Sequence, residues 1–276
     1  MDYQAALGII HQNQNKFQDK SAHWLYWKLC FTCLLGQKEK ALLVLDQALD
    51  SGIWWSPHTL SSESDLEIIR NEDAFLKASE AMAKLYESAR STAKPILLRV
   101  GKDTAAYRIL NLHWRDDNIE IYARFFYPLD QDLQMLLIQS SQPASSRGFC
   151  WDDHSIGRSD IEACLGSEME KVDLILGSSQ GGSLAFRLAC ERHWPYLGVM
   201  PALDDLNLIK SCFWPEGKYR LLIGSQDRFY STSQQVDLMI RNSGGNSRLI
   251  TMGDAGHFFP PDLMNYIKPL IQESLT

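Results

Sequence analysis

The chain has 276 residues, 45% of them hydrophobic and 22% charged, close to the average of folded globular proteins and far from a disordered chain. Its 34 acidic against 27 basic residues give a net charge of −7, which argues against binding a phosphate backbone. No stretch approaches the roughly 18 apolar residues of a membrane span, the start Met1-Asp2-Tyr3-Gln4 has no basic-then-apolar leader pattern, and six cysteines are too few for a disulfide scaffold. The expectation is a soluble cytoplasmic protein with no nucleic-acid partner.

From 1 to about 93 the apolar spacing is helical, over 2–15, 19–35, 37–50 and 72–90. In the third segment Ala41, Val44, Leu45, Ala48 and Leu49 share one face, and Gly36 and Gly52 stand where helices end. Ser64-Asp65-Leu66-Glu67 has the form of a capping box. The stretch from Leu34-Leu35-Gly36 through Ala41 and Ala48 to Gly52 resembles a tetratricopeptide repeat, as does the ending Asp65-Leu66-Glu67 … Asp73-Ala74-Phe75. The resemblance implies either a helical cap or a surface for a protein or peptide partner. Cys30 and Cys33 have C-x-x-C spacing, but no second ligand pair follows, so packing is expected and no metal.

From 94 onward short apolar runs alternate with helical stretches. The runs are 95–100, 107–113, 133–139, 172–176, 196–200, 219–223 and 247–252. Near-continuous apolar strands predict a mostly parallel sheet buried by helices on both faces, placed at 116–127, 158–169, 182–192, 231–243 and 262–274. The organisation expected is a small helical region, 1–93, before an α/β domain, 94–276.

One motif carries chemistry. Gly177-Ser178-Ser179-Gln180-Gly181 is G-x-S-x-G between an apolar strand and a small-residue helix start, the context of a nucleophile elbow. A serine hydroxyl is a weak nucleophile that needs a base, which an acid must orient. Asp227 follows the run 219–223, and His257 follows 247–252. Strand ends of this kind build active sites in open α/β sheets. Asp254, Asp204 and Asp205 are fallback acids.

Residues 95–275 resemble the α/β-hydrolase superfamily, in its carboxylesterase, phospholipase and thioesterase-like branch. The likeness rests on Gly177-Ser178-Ser179-Gln180-Gly181-Gly182, on Gly224 to Asp227, on Gly256-His257, and on Gln139-Ser140-Ser141-Gln142 before Trp151-Asp152-Asp153. It implies Ser179 as nucleophile, His257 as general base and then acid, and Asp227 as the group orienting it. It implies an oxyanion hole of the Gln180 N–H and a donor at Trp114 or Arg115, with Trp114 standing where the family has glycine. Gln142, Trp151 and Asp152 are candidate substrate-pocket residues. The function implied is hydrolysis of a carboxylic ester or thioester through an acyl-enzyme, acting on a small-molecule acyl substrate with no metal or organic cofactor. Alternatives are a serine peptidase of the same fold, or a non-catalytic protein binding a partner through its helical region.

Overall fold

The computed structural model describes residues 2–127, 132–212 and 216–275. The chain divides into two compact units. Unit 1 is Met1–Ala93 with Pro143–Phe149, and unit 2 is Lys94–Gln142 with Cys150–Thr276.

Unit 1 is helical: α1 (Tyr3–Asn13), α2 (Ser21–Leu34), α3 (Lys38–Asp50), α4 (Pro57–Ser62) and α5 (Asp73–Thr92). Its core is a set of stripes at helical spacing: Ala22, Leu25 and Leu29 of α2, Ala41, Val44, Leu45 and Ala48 of α3, and Phe75, Ala78 and Met82 of α5. The side chain of Asp2 caps α1, and Ser56 caps α4 ahead of Pro57. Past the ends of α2 and α3, Gly36 and Gly52 take φ of +72° and +68°, a conformation glycine adopts without strain. The expected capping box at Ser64 does not form. Ser64–Leu66 is a short 3-10 turn, and the carboxylate of Glu63 accepts the Asp65 amide instead. In the same unit Trp55 bridges to Ser145, and the Ser56 amide donates to the Ala144 carbonyl.

Unit 2 holds a seven-stranded sheet. Its strands are β1 (Ile96–Val100), β2 (Tyr107–Leu112), β3 (Leu133–Gln139), β6 (Leu174–Ser178), β7 (Tyr196–Val199), β8 (Lys218–Ile223) and β9 (Asn246–Thr251). The two-residue strands β4 (Gln142–Pro143) and β5 (Phe149–Cys150) form a separate pair. The sheet order is β1-β3-β2-β6-β7-β8-β9. All neighbours are parallel except β1 against β3. The helices are α6 (Ile119–Ala123), α7 (His154–Leu165), α8 (Gln180–Arg192), α9 (Leu206–Cys212), α10 (Tyr230–Asn242) and α11 (Leu263–Leu275).

Strand alternation sorts the core into two layers. Leu136 and Ile138 of β3, with Ile175 of β6 and Leu221 of β8, pack with α7, α8 and α10. Met135 and Leu137, with Leu176 and Leu222, face the other way and pack with α6 and α11. Helices therefore cover both faces, which is why the strands read as nearly unbroken apolar runs.

The order also fixes where a site can lie. From β2 the chain goes to β3 on one side and then to β6 on the other, so β2 and β6 are adjacent while their following segments diverge. Such a switch point opens a crevice at the carboxyl ends of the strands. The segment 113–118 follows β2, and Ser179 follows β6. Among the described residues no helix is long and apolar enough to cross a membrane.

Candidate active site

Ser179 sits between β6 and α8 with φ 48° and ψ −117°, a backbone conformation that costs about 1–3 kcal/mol and persists only where its surroundings enforce it. They do so from both sides: the Ser179 amide donates to the Val199 carbonyl at 3.2 Å, and the Ala202 amide donates to the Ser179 carbonyl at 2.9 Å. Two glycines make the turn sterically feasible. A Cβ on Gly177 would lie 2.7 Å from the Cβ of Ala185, and one on Gly181 would lie 2.6 Å from the Leu112 carbonyl oxygen. Strand, helix and the end of β2 approach so closely that no side chain fits. The first turn of α8 aims its amides and the positive end of its dipole at the serine.

The Ser179 hydroxyl is 2.7 Å from His257 Nε2, and His257 Nδ1 is 2.7 Å from Asp227 Oδ2. With the imidazole proton on Nδ1 donating to the carboxylate, Nε2 is left to accept from the hydroxyl. The Asp227 side chain is wholly buried, whereas the His257 ring is a quarter exposed. Asp227 Oδ1 accepts the Phe229 amide at 2.9 Å, so both carboxylate oxygens are held. The Phe229 ring lies edge-on to His257 at 5.3 Å. The three groups come from the ends of β6, β8 and β9, separated by up to 78 residues in the chain.

The fallback acids lie elsewhere. Asp254 accepts from the Ser225 hydroxyl at 3.2 Å, and Asp204 and Asp205 are exposed.

Opposite the elbow, the segment after β2 is built on a buried histidine. His113 has no exposed surface; Nδ1 donates to the Trp114 carbonyl at 2.6 Å, and Nε2 accepts the Ser140 amide at 3.4 Å. Burial lowers its pKa to about 4, against the helping bond to Trp114. The Trp151 indole lies tilted against His113, ring centroids 4.9 Å apart, and donates to the His113 carbonyl at 2.9 Å. Trp151 is itself wholly buried. Its ring therefore supports the segment from behind, and it offers no surface to a substrate. The Trp114 ring turns into an aromatic cluster with Tyr122, Phe125 and Phe259, at 5.3, 5.3 and 4.5 Å.

Arg115 pairs with Asp152, and Asp152 also accepts from the Gln180 side-chain amide at 2.7 Å. Gln180 in turn accepts the Trp151 amide at 2.8 Å. One polar chain thus joins the segment after β2, the loop before α7 and the residue following Ser179. Burial alone would raise the Asp152 pKa, but the guanidinium of Arg115 and the Gln180 amide outweigh it and hold the carboxyl below its ordinary value. Gln142 does different work: its amide pairs with both the amide and the carbonyl of Asp153.

Sequence reading missed one layer. Beneath the elbow, Tyr122 is wholly buried and its hydroxyl lies within hydrogen-bond distance of Asn111 Oδ1, the Leu112 carbonyl and Ser178 Oγ, at 2.8, 3.1 and 2.7 Å. This ties β2, α6 and the residue before Ser179 together. Two polar residues inside otherwise apolar strands, Asn111 and Ser178, are the signal for it. Cys30 and Cys33 are buried free thiols within α2, and burial pushes Cys33 up to about 11. Among the described residues no group of three or more His, Cys, Asp or Glu side chains is placed to hold a metal.

Residues 1–90 match the family described as the A/B hydrolase-like, N-terminal domain. The tetratricopeptide likeness of this region rests on its sequence alone. No curated protein matches the chain. Among solved structures, an uncharacterised protein from Bacillus cereus is 21% identical with a TM-score of 0.55, the match covering 93% of this chain and 88% of that one. Esterase PE8 is 13% identical with a TM-score of 0.55, covering 66% of this chain and all of its own. Acyl-protein thioesterase 2 of Zea mays is 16% identical with a TM-score of 0.50, covering 67% and 100%. Residues 1–90 are thus similar to the A/B hydrolase-like, N-terminal domain, and the sheet with its covering helices has the α/β-hydrolase fold of these solved structures.

Proposed function

We propose that the chain is a serine hydrolase that cleaves a carboxylic ester or thioester through an acyl-enzyme. The observation that carries this reading is the pair of 2.7 Å hydrogen bonds running from Ser179 through His257 to buried Asp227, with Ser179 on a strained strand-to-helix turn. Esterase and acyl-protein thioesterase names among the solved structures of the same fold support it.

In the reaction, His257 Nε2 takes the hydroxyl proton as Ser179 Oγ attacks the acyl carbonyl. Asp227 keeps the proton on Nδ1 and stabilises the imidazolium that forms. The negative oxygen of the tetrahedral intermediate is stabilised by the Gln180 backbone amide, at the start of α8, and by an amide at Trp114 or Arg115. His257 then donates its proton to the leaving alcohol or thiol. Water, activated by the same imidazole, hydrolyses the acyl-enzyme and restores Ser179. The Arg115–Asp152–Gln180 chain sets the spacing of the two oxyanion donors. A cytoplasmic setting, where thiols stay reduced, suits the free cysteines.

The test is labelling by a fluorophosphonate probe of purified protein beside a Ser179→Ala variant. Labelling of the wild type alone is expected. Folded wild-type protein that takes no label overturns the reading.

A further inference from the structure

Tyr122 takes no part in the chemistry above, yet its contacts reach the elbow, the segment after β2 and the loop of His257. It belongs to α6 and is wholly buried, as are Asn111 and Ser178, the two polar side chains it meets. Its ring lies edge-on to those of His113 and Trp114, at 6.4 and 5.3 Å. It is tilted to the ring of Phe259, two residues beyond His257, at 6.3 Å. Its hydroxyl has Ser178 Oγ at 2.7 Å, Asn111 Oδ1 at 2.8 Å and the Leu112 carbonyl at 3.1 Å.

Proton counting gives these bonds a direction. A phenol has one proton to donate, and burial raises its pKa, so it keeps that proton. Asn111 Oδ1 and the Leu112 carbonyl can only accept, so the phenol proton goes to them and the Ser178 hydroxyl donates to the phenol oxygen. The Tyr122 hydroxyl is therefore a bridge from the residue before Ser179 to the last residue of β2.

The bridge lies where main-chain pairing stops. The β2–β6 ladder ends at the pair Leu112–Gly177, so from Ser178 onward the tie between the two sides is made by side chains. On the opposite side the Leu112–His113 peptide has no slack, because a Cβ on Gly181 would press on the His113 carbonyl and lie 2.6 Å from the Leu112 carbonyl oxygen. That peptide is clamped between the backbone of α8 and the Tyr122 hydroxyl. Directly after it comes the segment 113–115.

We propose that Tyr122 is a positioning residue whose hydroxyl fixes the gap between the Gln180 amide and the amide at Trp114 or Arg115, and with it the fit of the site to a tetrahedral intermediate. The proposal rests on the hydrolase reading given above. Such a gap matters most when the carbonyl oxygen carries its charge, so losing the bridge should act on kcat and spare KM.

The test is Tyr122→Phe, which keeps the ring and removes the bridge, beside Ser178→Ala, which removes it from the other end and serves alone if the first variant is unstable. Fluorophosphonate labelling counts reactive sites, so that kcat refers to folded chains. Each variant should lower kcat on p-nitrophenyl butyrate about tenfold, with KM within about twofold. Inhibition by a trifluoromethyl ketone, which forms a tetrahedral adduct, should weaken by about the same factor. The double variant should be no slower than the singles, since both cut one bridge. Hydrogen exchange read by mass spectrometry needs no turnover: peptides covering 111–115 and 178–181 should exchange faster in the variants, and those of β8 and β9 should not. Unchanged kcat per labelled site, a fall in kcat without a fall in ketone affinity, additive losses in the double variant, or unchanged exchange at 111–115 would each overturn the proposal. A wild type that takes no label overturns the hydrolase reading instead, and the exchange readout alone then decides whether the bridge holds the two segments.

Discussion

The elbow around Ser179 and the segment that faces it after β2 solve the same problem by different means. In the proposed reaction both hold backbone amides still beside the acyl carbonyl. The elbow does it by crowding: Gly177 and Gly181 let main chain touch main chain, and the strained φ of Ser179 is locked by its own backbone hydrogen bonds. The segment 113–115 does it with side chains: buried His113 under Trp151, Trp114 wedged among aromatic rings, and Arg115 tied through Asp152 to Gln180. Crowding leaves little room for substitution, while a side-chain scaffold can be altered piece by piece. The contrast predicts steep, all-or-none losses at the elbow and graded ones across from it.

The largest effect belongs to the reacting groups. Ser179→Ala or His257→Gln should lower hydrolysis of a p-nitrophenyl ester by roughly 10⁴-fold or more, with melting temperature preserved. Gly181→Val comes next. Its side chain would drive into the Leu112 carbonyl, and a stability loss of about 3 kcal/mol in urea unfolding is expected along with lost activity. A stable, active Gly181→Val would break the comparison.

Across the crevice, Asp152→Ala should cut kcat about tenfold, some 1.4 kcal/mol of barrier, with a smaller change in KM, because it loosens the tie between Arg115 and Gln180 without touching the reacting atoms. An unchanged kcat would show that the polar chain does not set the oxyanion donors.

A last effect, independent of catalysis, is on stability against pH. Folded His113 stays neutral down to about pH 4, whereas its ordinary pKa is 6.5. Between those values the unfolded chain binds the extra proton, so stability falls as pH is lowered from 6.5 toward 4, with a slope of up to about 1.4 kcal/mol per pH unit from this group. A His113→Gln variant should show a shallower dependence in that window; parallel curves would mean that His113 does not set it.

The same contrast decides what could be read from the sequence. Crowding is written in residue type: glycines two places either side of a serine, after an apolar strand, announce the elbow, and the strand ends at Asp227 and His257 follow from alternating rhythm. A side-chain scaffold has no such signature. Nothing in the order Leu112-His113-Trp114 says that the imidazole is buried under an indole 38 residues further on, and Trp151 reads as a pocket residue until its ring is found wholly buried. Tyr122 reads as one more apolar position on a helix, although its hydroxyl lies beside Ser178. Local caps show the same limit. Ser64 has the right residue type, but Glu63 reaches the amide because the chain turns as a 3-10 segment there. The grouping of Pro143–Phe149 with residues 1–93 depends on pairings such as Trp55 with Ser145, which no local pattern encodes.

Covalent catalysis by Ser179 is measured directly by a stopped-flow time course with p-nitrophenyl butyrate, followed by intact-mass and peptide mass spectrometry of acid-quenched protein. A burst of about one nitrophenol per chain and one butyryl group on the peptide containing Ser179 are expected, both absent in Ser179→Ala. Turnover that persists in Ser179→Ala, or an acyl group on any other residue, would contradict covalent catalysis by Ser179.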